Sequence, residues 1–88
     1  MPSVSKKIAE QEIEKLNRQK QPKVYCVVRY QNRMNGDDVR GSYSCYCICY
    51  KRKHYQALMR SPVIGGVDII WSSKKFKDDI QESELLST

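Results

Sequence analysis

The chain has one histidine, one phenylalanine and one tryptophan, with four glycines and three prolines among 88 residues. A single histidine removes most acid-base and nucleophilic arrangements, because no recognisable pattern sets a serine or cysteine beside it. His54 follows the basic run Lys51, Arg52, Lys53 rather than a cluster of acids. The adjacent acids Asp37 and Asp38 are explained by a turn, where neighbouring side chains point apart. Gly65 and Gly66 lack the spacing and the following lysine of a phosphate-binding loop. An enzyme is therefore not expected, nor is a cofactor. Long apolar runs are also missing, since the longest, near Val67 to Trp71, is interrupted by Asp68. That is too short for a membrane span or the apolar part of a signal peptide. A soluble protein with no membrane partner is expected, and no internal repeat or low-complexity segment is visible.

What the chain does have is positive charge in one region. The formal net charge is +6 and the pI is near 9.3, with 40% hydrophobic and 30% charged residues, which is globular composition. Residues 1–23 carry +3, residues 24–60 carry +5 and residues 61–88 carry −2. Such a field suits polyanions, meaning nucleic acid, an anionic membrane or an acidic protein surface. It also serves plain solubility. A chain of this length buries only about 60 to 65 per cent of its unfolded surface, so a single small domain over 1–88 is expected, without a large cleft.

Two strand-like runs, Lys23 to Gln31 and Ser42 to Tyr50, flank a polar segment containing Asn35 and Gly36. An Asn-Gly pair tolerates the positive φ that both central residues of a type I′ turn require, so it is read as the turn of a hairpin. That turn pairs Met34 with Asp37, Arg33 with Asp38, Val28 with Tyr43, Cys26 with Cys45 and Tyr25 with Tyr46. The polar run Asn32 to Gly41 also fits a longer loop, which would change the register. Alternation puts Val24, Cys26, Val28, Tyr30, Tyr43, Cys45, Cys47 and Cys49 on one face. Tyr25, Val27, Arg29, Gln31, Ser44, Tyr46, Ile48 and Tyr50 share the other. The cysteine face is small and nearly uncharged, and is predicted to be the core face that receives the first helix.

Cys45, Cys47, Cys49 and His54 resemble a metal set only until geometry is applied. Alternate strand residues lie about 7 Å apart, whereas two sulfurs on one tetrahedral zinc lie about 3.8 Å apart. No metal site is expected, and four cysteines are too few for a disulfide scaffold. Small buried hydrophobes in a reducing cytoplasm are the first reading. The predicted register leaves a Cys26–Cys45 disulfide open, with Cα atoms about 5.5 Å apart.

Along the chain, Ser3 or Ser5 caps a helix reaching about Lys20, with Ile8, Ala9, Ile13 and Leu16 on one stripe and Glu14 paired with Arg18. Pro22 stops it. Tyr55, Leu58 and Met59 have helical spacing before Pro62, predicting a short second helix; a basic extended arm through Tyr55 is the alternative. Gly65 and Gly66 read as a turn, and Val67 to Ser72 as a third strand with Trp71 in the core. Phe76 and Ile80 have helical spacing, but Lys74, Lys75 and Lys77 oppose the helix dipole at its positive end, as Glu82 and Glu84 do at its negative end. A short or frayed helical tail follows, with residues from about 81 to 88 expected to be disordered. The expected fold is α+β: an antiparallel sheet of about three strands with the N-terminal helix on one face, in the order helix, strand, strand, short helix, strand, helical tail.

The mixed face next to the basic run is the functional candidate. Tyr25, Tyr46 and Tyr50 would stack unpaired bases, and Arg29, Lys51, Arg52 and Lys53 would hold phosphates. Tyrosines are equally good strand residues, so burial of this face is the competing reading. Arg40, Gly41, Ser42 and Tyr43 are similar to the basic-glycine-aromatic opening of the RNA-recognition-motif signature, but that family places a helix between its first two strands. Ser72 to Lys77 resembles the opening of the last helix in double-stranded-RNA-binding domains, and Asp78 and Asp79 depart from it. Neither match places the chain in a family. The first reading is a basic module binding single-stranded or structured RNA or DNA with little sequence specificity. The second is a protein-binding inhibitor or adaptor, such as a virus-encoded accessory protein, acting on an acidic protein surface. A homodimer through a sheet edge is a further expectation.

Overall fold

A computed structural model describes residues 3–33 and 42–87. Its elements run α1 (Lys6–Arg18), β1 (Cys26–Arg33), β2 (Ser42–Cys49), α2 (Arg52–Arg60), β3 (Ile64–Ser72) and α3 (Lys74–Ser87). The three strands form one antiparallel sheet in the order β2-β1-β3. This is the α+β architecture expected, with β1 in the centre and helices on both faces.

Ser5 starts α1, its hydroxyl accepting the Ile8 N–H at 3.2 Å. Glu14 and Arg18 form the expected pair at 2.7 Å. Ala9 and Leu16 are buried, Ile13 is half-buried, and Ile8 is exposed rather than part of the stripe. The helix does not lie on the cysteine face. Ala9, Ile13 and Leu16 pack with Val24, Val27, Tyr46, Ile48 and Trp71, on the mixed face. The Trp71 indole N–H also donates to Asn17 Oδ1 at 3.1 Å. A narrow apolar stripe is matched there by bulky side chains from all three strands.

The cysteine face is covered instead by α2 and α3. Cys26, Val28, Tyr30, Cys45, Cys47 and Cys49 form one core with Leu58 and Phe76, and Tyr55, Ile64 and Val67 pack against it. Cysteine and valine leave depth above the sheet, and aromatic rings fill it. Tyr25, Tyr55 and Phe76 meet with ring centroids 5.2 to 6.2 Å apart in tilted and edge-on arrangements.

The hairpin register differs from the expected one. Cys26 stands opposite Cys49, Val28 opposite Cys47 and Arg29 opposite Tyr46, a slip of four residues, and the ladder ends at Arg33 and Ser42. The expected alignment would have run Cys49 against Pro22, which has no N–H to give a ladder. Because the slip is even, every residue from Cys26 to Gln31 keeps its expected face. The Asn35–Gly36 turn lies outside the described residues.

Val24 and Tyr25 have exchanged faces, and the cause is local. The Tyr25 N–H donates to the Cys49 carbonyl at 2.8 Å, although Cys49 is already the partner of Cys26. Tyr25, just before β1, and Cys26 thus both face Cys49, a bulge-like irregularity at the strand's start; Tyr25 lies on the same side as Cys26, and Val24 packs with α1.

The stretch around His54 is helical, not an extended arm, and α2 begins at Arg52. Gly65 and Gly66 lie inside β3 rather than in a turn before it. Gly66 has φ +58, where the β1–β3 register shifts between Arg29 and Gln31, and a Cβ there would meet only the Gln31 side chain at an ordinary 3.9 Å, so conformation, not crowding, calls for glycine. A second shift lies between Val27 and Val28. On the opposite edge Val4 bridges to Tyr46, its N–H donating to the Tyr46 carbonyl at 2.8 Å. The β2 edge is thus partly paired by the segment that precedes α1. α3 continues to Ser87, past residue 81 where the disordered tail was expected; Phe76 and Asp79, both held by the rest of the fold, anchor its first turns.

Two outcomes follow from this packing. Leu16→Ala is expected to destabilise the protein by about 2 to 5 kcal/mol in chemical denaturation, because Leu16 projects from α1 into the core and is only 3% exposed. The four cysteines, all buried and none in a disulfide, are expected to resist an aromatic disulfide reagent until the protein unfolds. A hydrogen bond with Cys49, then burial, raises the Cys47 thiol, and a bond with Cys26 pushes Cys49 up to about 12 from an ordinary value near 9. The folded state keeps these protons above pH 9 while the unfolded state releases them. Stability should accordingly fall as pH rises through the range above 9, read as a lower denaturation midpoint.

Candidate functional site

The expected platform is not a single surface. Tyr25 is 5% exposed, its ring held by Tyr55 and Phe76 and its hydroxyl donating to Asp79 Oδ2 at 2.7 Å. Burial, followed by that bond to a carboxylate, raises the phenol well above its ordinary range, so it stays protonated. Tyr46 is half-buried against α1. Arg29 is exposed but engaged, donating to Asp68 Oδ2 at 2.7 Å across the β1–β3 ladder. Only Tyr50, at 54% exposure, presents an open aromatic surface, together with exposed Lys51, Arg52 and Lys53.

The structure does gather a site around that last group. At the end of the sheet where β1 begins and β2 and β3 finish, three chain junctions converge on a groove of about 760 Å³. The α1–β1 connection contributes Lys20 and Lys23. The β2–α2 junction contributes Tyr50, Lys51, Arg52 and Lys53. The β3–α3 junction contributes Ser73, Lys74 and Lys75, and Tyr25 lies at the inner wall. Seven cationic side chains and no carboxylate line the groove among the described residues. Arg29 and Tyr46 lie elsewhere, on the face that carries α1.

At this end of the sheet a carboxylate lies behind the groove, where Asp79 accepts from the Tyr25 hydroxyl. α2 and α3 both begin here, and neither has an acidic residue in its first turn. The Ser73 hydroxyl caps α3, accepting the Phe76 N–H at 3.1 Å, whereas Lys51 begins α2 without a side-chain cap. Lysine and arginine at a helix N-terminus oppose the macrodipole, and seven cations around one groove repel one another. An anion in the groove would offset both effects.

Lys20, Lys23, Lys74 and Lys75 were not among the expected site residues. Lys20 read as the approximate end of the first helix, and Lys74 and Lys75 only as poor helix starters. That second feature was the available signal, since cations at the wrong end of a helix call for something to offset them. Among the described residues no group of three or more histidine, cysteine or acidic side chains is arranged to hold a metal ion. No described helix is long and apolar enough to cross a membrane.

If the groove is electrostatically strained, Lys74→Glu should stabilise the free protein by about 0.3 to 1 kcal/mol while weakening its hold on polyanions. Paired measurements of the denaturation midpoint and of heparin affinity check this; a variant that loses stability would contradict it.

No protein-family model matches this chain, and no curated protein or solved structure matches it.

Proposed function

We propose that the chain is a small, non-enzymatic basic module that binds nucleic acid with little sequence preference through the groove at the start of β1. The observation that carries this reading is the convergence of Lys20, Lys23, Lys51, Arg52, Lys53, Lys74 and Lys75 on one concavity without a carboxylate. Phosphate contacts from such side chains supply affinity without reading sequence. Six of the seven cations are lysines, which meet phosphates as point charges and so favour low specificity. The reading includes a cytoplasmic, reducing location, supported by four buried cysteines outside any disulfide.

An acidic protein surface is the second reading. The same charge favours it, as do Ile69 and Ile70 on β3, which are 39% and 38% exposed. Salt dependence separates the two. Fluorescence anisotropy with a labelled oligonucleotide should give an affinity that falls linearly with salt on logarithmic axes. Replacing Lys51, Lys53 and Lys74 together by alanine should make that slope shallower by about 2, the change expected for about three lost phosphate contacts to a single strand. Binding that is undetectable at low salt, or unchanged as salt rises, contradicts the nucleic-acid reading and favours the protein partner.

A further inference from the structure

We infer that the groove takes a single strand rather than a duplex, with its phosphates among the lysines and one base stacked on Tyr50. This rests on the nucleic-acid reading above and narrows it to a ligand class. Two aromatic side chains line the groove, and they are not equivalent. Tyr25 is spent on the fold, its ring enclosed by Tyr55 and Phe76 and its hydroxyl given to Asp79. Tyr50 is 54% exposed, the last residue before α2's basic start, and so stands next to Lys51, Arg52 and Lys53 in the chain and shares the groove with Lys23 and Lys75.

An exposed ring surrounded by cations fits an unpaired nucleotide, whose base and phosphate it can engage together. A duplex offers Tyr50 nothing comparable, because its bases are stacked inside and only phosphates and groove edges face outward. Shape argues the same way. The cations line an open concavity of about 760 Å³, with room for a few nucleotide-sized groups. Helical nucleic acid presents its phosphates on the outside of a stiff rod, so it would meet the rim of the concavity while a flexible strand enters it. One ring gives one stack, which every base can make, and this agrees with low sequence preference.

The test is anisotropy with labelled oligouridylate, a GC-rich RNA hairpin, and inorganic polyphosphate as competitor, on the wild type, Tyr50→Phe and Tyr50→Ala. Tyr50 is exposed, so the variants should keep the wild-type thermal midpoint. Tyr50→Ala is expected to weaken oligouridylate binding by roughly 5- to 100-fold. Tyr50→Phe keeps the stacking face and should bind within about twofold of the wild type. The hairpin should bind more weakly than the single strand, despite its greater charge. The inference is overturned, with the nucleic-acid reading intact, if Tyr50→Ala binds like the wild type or the hairpin binds as tightly as oligouridylate. The same holds if polyphosphate of matched charge competes as well as oligouridylate, since no base contact is then needed. Failure to bind any of the three polyanions would instead remove the underlying reading.

Discussion

Tyr25, just before β1, and Cys26 both face Cys49, and this irregularity puts Tyr25 on the side of the sheet that α2 and α3 cover. Upstream of the bulge Val24 turns towards α1, while Tyr25 joins the cysteine side and becomes the centre of a ring cluster with Tyr55 of α2 and Phe76 of α3. Without this irregularity, Tyr25 would follow simple alternation onto the α1 face and leave α2 and α3 no shared aromatic anchor. Its hydroxyl completes the attachment by donating to Asp79, one helical turn beyond Phe76. The bulge therefore ties both later helices to the beginning of the central strand.

That attachment has an electrostatic consequence. Holding the first turns of α2 and α3 against one end of the sheet brings Lys51, Arg52 and Lys53 to the same groove as Lys74 and Lys75. Coulomb repulsion and two helix dipoles act against this arrangement, and apolar and aromatic packing beneath it holds it in place. The cost falls on the isolated protein and would be recovered on contact with an anion. If the groove binds polyanions as proposed, its affinity should respond strongly to salt.

Alternation in the sequence was enough to sort Cys26 to Gln31 and Ser44 to Cys49 onto the correct faces, because the register slipped by an even number of residues. Ser5, the Glu14–Arg18 pair and the short helix before Pro62 were legible from local rules. Which helix covers which face was not, since an apolar stripe does not state its partner. The cysteine face looked ready for α1 until Tyr55 and Phe76, distant in sequence, proved to be the groups large enough to fill it. The bulge was equally hidden, because Val24 and Tyr25 are both acceptable in either core. For the site, the basic run and Tyr50 were visible, while Lys20, Lys23, Lys74 and Lys75 belong to it only through the meeting of three junctions. Tyr25 was misplaced for a related reason: alternation alone sends it to the mixed face, whereas it lies in the cysteine-side core with its hydroxyl on the carboxylate of Asp79.

The central claim is that one end of this sheet is a polyanion site assembled by the packing of Tyr25. Backbone amide shifts recorded while titrating a short single-stranded RNA into the isotopically labelled protein test it most directly. The account predicts that the shifts concentrate in Lys20 to Tyr25, Tyr50 to Lys53 and Ser73 to Lys75. Shifts centred instead on Arg29, Tyr46 and the α1 face, or no shifts at all, would contradict it.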